Sequence, residues 1–376
     1  MRIEIPPVMT IFEPIVDWRK EKGKRYSLKS LLQFIILALL CGKNGTRAMS
    51  RWGKGLPEGS KRRLGIAAHR HPSAAMLCRV FWQLAPEVIE AGIREWAKQV
   101  HRQLIAAGLS RGVAIDGKSI RRAASLGSPN AFLVSAVCHQ LRFVLAQLAV
   151  DDKTNEITCV PALLEQLLFK GLVITVDALL TQREIAIQIR QAGGHYLMYV
   201  KANQPKLLWA LEQLFEQPSK AGISPFKHAK SVDKGHGRVE TREIWLSDAL
   251  NDYLDWPGVA QVFCLKRTRW EIKSNKYSQT LVYGVTSLSQ AQASPAEVIQ
   301  IIRDHWAAIE NGIHWVRDVV MAEDASTTRK PGVPQVRAAF RNIAISLARL
   351  TGFTSVTEAF DTFSADPTLA LDLLGL

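Results

Sequence analysis

Two apolar runs in this chain each stop at an aspartate. Gly112-Val113-Ala114-Ile115 ends at Asp116, and Leu172-Val173-Ile174-Thr175-Val176 ends at Asp177. Short runs rich in β-branched residues predict buried strands. A carboxylate at the end of such a strand is costly unless a cation or a donor meets it. A third acid, Glu310, lies in the helical stretch His305-Trp306-Ala307-Ala308-Ile309-Glu310-Asn311. The three are 61 and 133 residues apart, so only folding can gather them. Taken singly, strand-end aspartates are also common turn formers and helix caps.

Gathered, they match the needs of a pair of Mg²⁺ ions. Such ions take oxygen ligands in near-octahedral geometry with several retained waters, and need no His or Cys. A metal pair clamps the attacking and leaving oxygens of a phosphoryl transfer. The rest of the chain suits a polyanionic partner, with a net charge of +14 and a pI near 9.7 over 376 residues. Residues 1–80 hold 16 Lys or Arg against 5 Asp or Glu, so DNA docking is expected there. Lys61-Arg62-Arg63 and the run from Arg19 to Arg25 are its candidate phosphate-binding clusters. A hydrophobic share of 47% excludes a disordered chain. Five scattered cysteines with no CxxC pair argue against a disulfide framework and against structural zinc, and fit a reducing cytoplasm. The apolar stretch Leu31–Cys41 is too short to span a bilayer and lacks a secretory pattern, so it is expected to be a core helix and no membrane partner is expected.

The pattern divides the chain into four parts. Residues 1–105 read as a basic, helical N-terminal DNA-binding domain, with Ser27 and Ser73 as helix caps and a long amphipathic helix from Pro86 to Ala107. Residues 106–221 read as strand Val113–Asp116, a hairpin of Phe132–His139 and Arg142–Val150, helix Asn155–Leu168, strand Leu172–Asp177, helix Thr181–Ala192, strand His195–Val200 and helix Pro205–Gln217. That order is the one expected of a ribonuclease H-like α/β core. Residues 222–292 read as a β-rich insertion, with strands Arg238–Leu246, Val259–Trp270 and Thr280–Ser287 joined by charged connections at Lys227–Lys234 and Lys266–Lys276. Residues 293–376 complete the core with the glutamate helix, opened by Ser294 and Pro295, and with C-terminal helices.

On a regular α-helix, Arg303, Glu310 and Arg317 share one stripe, because seven residues drift only about 20°. Ile302, Ile309, Val316 and Val320 then face the core, and His314 sits one turn beyond Glu310, where it is expected to touch DNA. The two arginines are expected to hold phosphates, for which guanidinium is suited. Lys118, Arg121 and Lys201 are placed to hold the scissile strand. Asn203 and Gln204 either orient backbone or substrate, or cap the Pro205 helix. Lys234 and Arg238 flank a glycine-flexible turn through His236 and are expected to touch DNA. Trp270 is expected to pack in the core rather than stack on an unpaired base.

Several segments together resemble one family. Ile115-Asp116-Gly117-Lys118-Ser119-Ile120-Arg121 resembles its first catalytic segment, and Thr154-Asn155-Glu156-Ile157 with Val173 to Ala178 resembles its second region. Lys201-Ala202-Asn203-Gln204, Lys234 to Glu240, and the run from His305 through Glu310-Asn311, His314-Trp315 and Asp318-Val319 to Glu323-Asp324 are similar to later motifs in the same order. The family is the DDE transposases of bacterial insertion sequences, ISAs type, with the H-repeat-associated proteins. The resemblance covers nearly the whole chain. It implies metal-dependent DNA cleavage and strand transfer at insertion-sequence ends, with Asp116, Asp177 and Glu310 as catalytic metal ligands. It further implies two Mg²⁺ ions with Mn²⁺ as a substitute, and double-stranded DNA as partner in the form of terminal inverted repeats and target. A homodimer or higher assembly on that DNA and a cytoplasmic, nucleoid-associated location are also implied. Leu179-Leu180-Thr181, Ala202 and Arg317 depart from the family pattern without removing a carboxylate. A non-catalytic DNA-binding relative, and a nuclease of the same fold that cuts without joining, are the alternatives.

Overall fold

A computed structural model describes residues 4–22, 24–127, 131–150, 156–216, 226–235, 237–328, 330–353 and 355–376. The expectations for Thr154, Asn155, Gln217 and His236 lie outside the described residues.

Five helices come first: α1 (Leu28–Leu40), α2 (Thr46–Lys54), α3 (Glu58–Arg63), α4 (Ala74–Gln83) and α5 (Pro86–Ala106). Ser27 and Ser73 accept backbone N–H bonds at the starts of α1 and α4, as expected of N-caps. Strand β1 (Gly112–Ser119) and helix α6 (Arg121–Ser125) follow, then the hairpin β2 (Phe132–Cys138) and β3 (Val144–Val150). Next come α7 (Val160–Leu164), β4 (Val173–Val176), α8 (Arg183–Gln191), β5 (His195–Val200) and α9 (Pro205–Phe215). The expected helix from Asn155 to Leu168 is shorter, because Pro161 is tolerated only in a first turn. A 3₁₀ turn at Glu156–Cys159 leads into α7 instead. Strands β6 (Lys227–Gly235), β7 (Arg238–Ser247), β8 (Gln261–Glu271) and β9 (Lys276–Thr286) precede α10 (Pro295–Ala308), α11 (Val333–Leu350), α12 (Val356–Ala365) and α13 (Pro367–Leu373). Ser294 and Glu297 form a full capping box on α10.

The strands form one nine-stranded sheet in the order β3-β2-β1-β4-β5-β9-β8-β7-β6. β1 pairs antiparallel with β2 and parallel with β4, and β4 pairs parallel with β5. Three antiparallel strands followed by two helix-linked parallel ones make this a ribonuclease H-like α/β core. Strands β6–β9 extend its sheet by antiparallel pairing of β5 with β9. Lys227–Lys234 and much of Lys266–Lys276 are strand, not connections. The tips of β8 and β9 are largely exposed on both faces, and β6 meets α10 chiefly through Ala229, so the apolar alternation that marks a half-buried strand is missing in both places. For the same reason Trp270 is not a core residue. It is 43% exposed beside Tyr277 at 65%, its register partner, and its ring N–H donates to Asn275.

Alternation decides which face carries what. Val113, Ile115, Ile174 and Val176 join the large core cluster together with residues of α1, α5 and α11. That cluster runs through the N-terminal helices and the sheet alike. A buried polar network ties the same parts together. Glu90 of α5 accepts from Gln147 of β3 and Gln335 of α11, and Asn342 donates to Gln147. The opposite face packs Val173, Leu197 and Tyr199 against Ile299 and Ile302 of α10.

Two buried polar assemblies fix α10 and the segment after it. Thr175 Oγ1 lies 2.8 Å from both His139 Nε2 and His305 Nδ1. One hydroxyl has one proton, so at least one ring donates to it, and neutral imidazoles satisfy this. Burial lowers the pKa of both rings, to about 3 for His139 and about 4 for His305. Further on, Glu323 is fully buried between Arg317 and Arg341, at 2.7 and 3.1 Å. Burial works to raise its carboxyl, and the two guanidiniums outweigh that and leave it below its ordinary value.

Unfolded, the His305 ring takes a proton near 6.5; folded, it resists down to about 4. The unfolded chain therefore binds more protons in this window, and stability present above pH 6.5 is lost as pH falls through it. His305→Gln is expected to flatten the pH dependence of unfolding free energy between 6.5 and 4 by up to about 1.4 kcal/mol per pH unit. Urea titrations at several pH values measure this, and an unchanged slope would contradict it. Glu323→Gln leaves two buried guanidiniums without their anion and is expected to lower stability by about 3 kcal/mol in urea unfolding.

Candidate active site

The acids gather where β4 ends beside β1 in the middle of the sheet. The expected strand end at Asp116 is corrected: β1 runs on to Ser119, and Asp116 lies within it opposite Ser135 of β2. Ile115 aligns with Val176 in parallel register, so one residue further Asp116 stands beside Asp177, which follows the last residue of β4, on the α10 face. Neighbouring strands run about 4.8 Å apart. Asp116 accepts from the backbone N–H of Gly117, and Asp177 accepts from that of Leu180. Glu310 arrives from the segment after α10. Ligand atoms of Asp116, Glu310 and His314 all lie within 4.8 Å of one another. His314 Nδ1 is 3.5 Å from Glu310 and 3.9 Å from Asp116. Asp177 stands outside that tight group, next to Asp116.

The electrostatics follow from this crowding. Burial, then the charges of Asp177, Glu156 and Glu310, push Asp116 up to about 7. Glu310, largely exposed, is held below its ordinary value chiefly by its hydrogen bond from His314. Burial lowers the His314 ring, and its Nε2 is buried without a partner, so the expected DNA contact by His314 is corrected to a buried contact with Glu310 and Asp116. Clustered oxygen donors with unrelieved negative charge fit a hard divalent cation, which Asp116, Asp177 and Glu310 would hold.

The helix bearing Glu310 does not continue as an α-helix. Residues Glu310–His314 and Val316–Val320 are π-helical, with His314 N–H donating to Ile309 and Met321 N–H to Val316. A π turn holds more residues than an α turn, so seven steps no longer return to one face. Ile302, Ile309 and Val316 still reach the core. Arg317 does not share the stripe of Glu310. It is 0% exposed in its pair with Glu323, so the expected phosphate contact by Arg317 is corrected to a structural ion pair. Gly312 permits this winding, because a Cβ there would stand 2.8 Å from the Ala307 carbonyl oxygen.

Other sequence-picked residues divide by their surroundings. Lys118 is buried, its ammonium 2.6 Å from Asp318. Arg121 reaches solvent while its backbone N–H donates to Asp324. Lys201 is exposed. Asn203 donates to Ala178 and Gln204 to Thr181, so this pair grips the turn after Asp177 rather than capping α9. Arg303 pairs with Asp233 at 2.6 Å. Lys234 is exposed, and Arg238 lies 3.9 Å from Glu240. In the N-terminal cluster, Lys61 is buried and donates to the Lys54 and Ala68 carbonyls, which removes it from phosphate contact. Arg63 is bound to Asp372 and to the Leu376 carbonyl. Arg62 stays exposed beside Glu58. Sequence reasoning gave Glu156 no role, and it gave none to the buried pair of histidines under α10. Motif position was the signal for Glu156; a lone histidine in an apolar strand gave none.

The family described as "Transposase DDE domain" matches residues 107–347, and the DDE_Tnp_1-associated family matches residues 9–97. An uncharacterised protein in the dhlA 3' region of Xanthobacter autotrophicus is 33% identical over 70% of this chain and 90% of its own. The H repeat-associated putative transposase YhhI of Escherichia coli K12 is 28% identical over 92% of this chain and 91% of its own. The putative transposase YncI of Escherichia coli O157:H7 is 28% identical over 92% and 88%. A piggyBac transposase synaptic complex with hairpin DNA superposes with a TM-score of 0.44 at 11% identity, covering 98% of this chain and 81% of that one, too loosely to place any residue. With a family match spanning well over half of its length, and with paired aspartates and a helix glutamate at one place on the sheet, the chain belongs to the DDE transposases.

Proposed function

We propose that this transposase cuts and joins DNA at the ends of its element by phosphoryl transfer at the acidic cluster, using two Mg²⁺ ions for which Mn²⁺ substitutes. The observation that carries the reading is the adjacency of Asp116 and Asp177 on parallel strands, with Glu310 and His314 drawn in beside Asp116. Bound divalent ions would supply a more acidic water or 3′-hydroxyl and neutralise charge on the leaving oxygen. The protein's own part is to hold the acids. Asn203 and Gln204 grip the Asp177 turn, His314 steadies Glu310, and the Arg317–Glu323–Arg341 group anchors the segment behind Glu310. Water opens the strand first, and the freed 3′-hydroxyl then attacks target DNA.

Double-stranded DNA is the partner that suits the basic first fifth of the chain. The solvent-facing cations Arg62, Arg121, Lys201, Lys234 and Arg238 are the candidate phosphate contacts, with Arg303 available if it leaves Asp233. Work at two element ends calls for a homodimer or larger assembly, placed in the cytoplasm on the nucleoid. Among the described residues no helix is long and apolar enough to cross a membrane.

The test is nicking of a duplex that carries the inverted repeats flanking the coding region. Asp116→Asn is expected to lower the metal-dependent rate on the order of 10³-fold or more while DNA binding persists. Joined products with target DNA are expected from the wild type. Strong cleavage without any joined product would replace the transposase reaction with that of a nuclease.

A further inference from the structure

We infer that Glu156 is a fourth carboxylate of the metal pocket, donating oxygen beside Asp116 and Asp177; this rests on the reading of the acidic cluster as a metal site. Glu156 opens the 3₁₀ turn that precedes α7, and that turn packs on β3. From there its side chain reaches over β1. A Cβ placed on Gly117 would fall on Oε2 of Glu156, with the Phe132 ring as the next obstacle. The residue after Asp116 must therefore lack a side chain for this carboxylate to occupy its place. The side-chain space of the residue after the first aspartate is filled by an acid from another part of the chain.

The electrostatics agree with that placement. The charge of Glu156 acts on Asp116, and that of Asp177 acts on Glu156. Four acids thus come to the same stretch of the sheet: Asp116 within β1 and Asp177 after β4, Glu310 from the π-helical segment, and Glu156 from the turn, against Gly117. The nearby cations are committed elsewhere, Lys118 to Asp318 and Arg317 to Glu323. An acid held among acids, and half-buried, is unfavourable in the metal-free protein. Its location becomes favourable when an ion that takes six oxygen ligands enters between them. A glutamate reaching in from a neighbouring turn also adds a ligand without disturbing the strand register that aligns the two aspartates.

The experiment is calorimetric titration of the full chain with Mn²⁺, alongside thermal unfolding without metal, so that the readout does not depend on turnover. Glu156→Gln keeps size and shape and removes one charge. It is expected to weaken Mn²⁺ binding about tenfold or more with an unchanged or raised metal-free Tm. Gly117→Ala, which displaces the carboxylate without deleting it, is expected to weaken binding as well, and it serves if Glu156→Gln does not fold. Asp116→Asn is the control. If Asp116→Asn loses binding while Glu156→Gln titrates like the wild type, the role of Glu156 is overturned and the metal site stands. If the wild type itself binds no Mn²⁺, or if Asp116→Asn binds as tightly as the wild type, both readings fall.

Discussion

The parallel register of β1 and β4 sets two negative charges side by side, and much of the remaining architecture answers that repulsion. Two carboxylates about 5 Å apart repel by about 3 kcal/mol at an effective dielectric of 20. The response of Asp116, pushed up to about 7 by burial and by its acidic neighbours, reflects the same strain. A fold that only needed a stable sheet would avoid this placement. This one keeps it, and brings Glu310 and Glu156 toward the same spot.

A basic protein has many cations with which to neutralise such a site, yet the nearest are each matched to a different acid. Lys118 is paired with Asp318, Arg121 with Asp324, and Arg317 and Arg341 with Glu323. These pairs have two consequences. They anchor the π-helical segment against the sheet, which sets where Glu310 and His314 stand. They also leave Asp116 and Asp177 open to a cation from solution. The buried His139–Thr175–His305 contacts do comparable work beneath, fixing α10 to the strand that ends at Asp177.

Much of this was legible in the sequence because it rests on local patterns. Apolar runs closed by aspartates mark β1 and β4, although β1 runs on past Asp116 to Ser119, serines mark the starts of α1, α4 and α10, and the strand order marks the core. The Asn203-Gln204 pair was noticed, and the structure selects between its possible roles. What was not legible depends on how the backbone winds, which no residue pattern marks. Nothing near Arg317 announces that Glu323, six residues on, is buried between it and Arg341, and a 100° step per residue cannot foresee a π turn. Lys61 looks like the centre of a phosphate-binding cluster until the carbonyls of Lys54 and Ala68 are seen around it. Strand β6 and the tips of β8 and β9 hid for a different reason. The tips are largely exposed on both faces and carry charges and aromatics without alternation, so Lys266–Lys276 read as a loop and Trp270 as core.

The central claim is that acids from β1, β4 and the segment after α10 share divalent ions. Crystals of the protein soaked in Mn²⁺ and measured at the manganese edge test it most directly. The account requires anomalous peaks with oxygens of Asp116, Asp177 and Glu310 about 2.1 Å away, near the distance for small hard cations. Manganese bound elsewhere, or an ion at Asp116 with Asp177 or Glu310 left without contact to any ion, would contradict it.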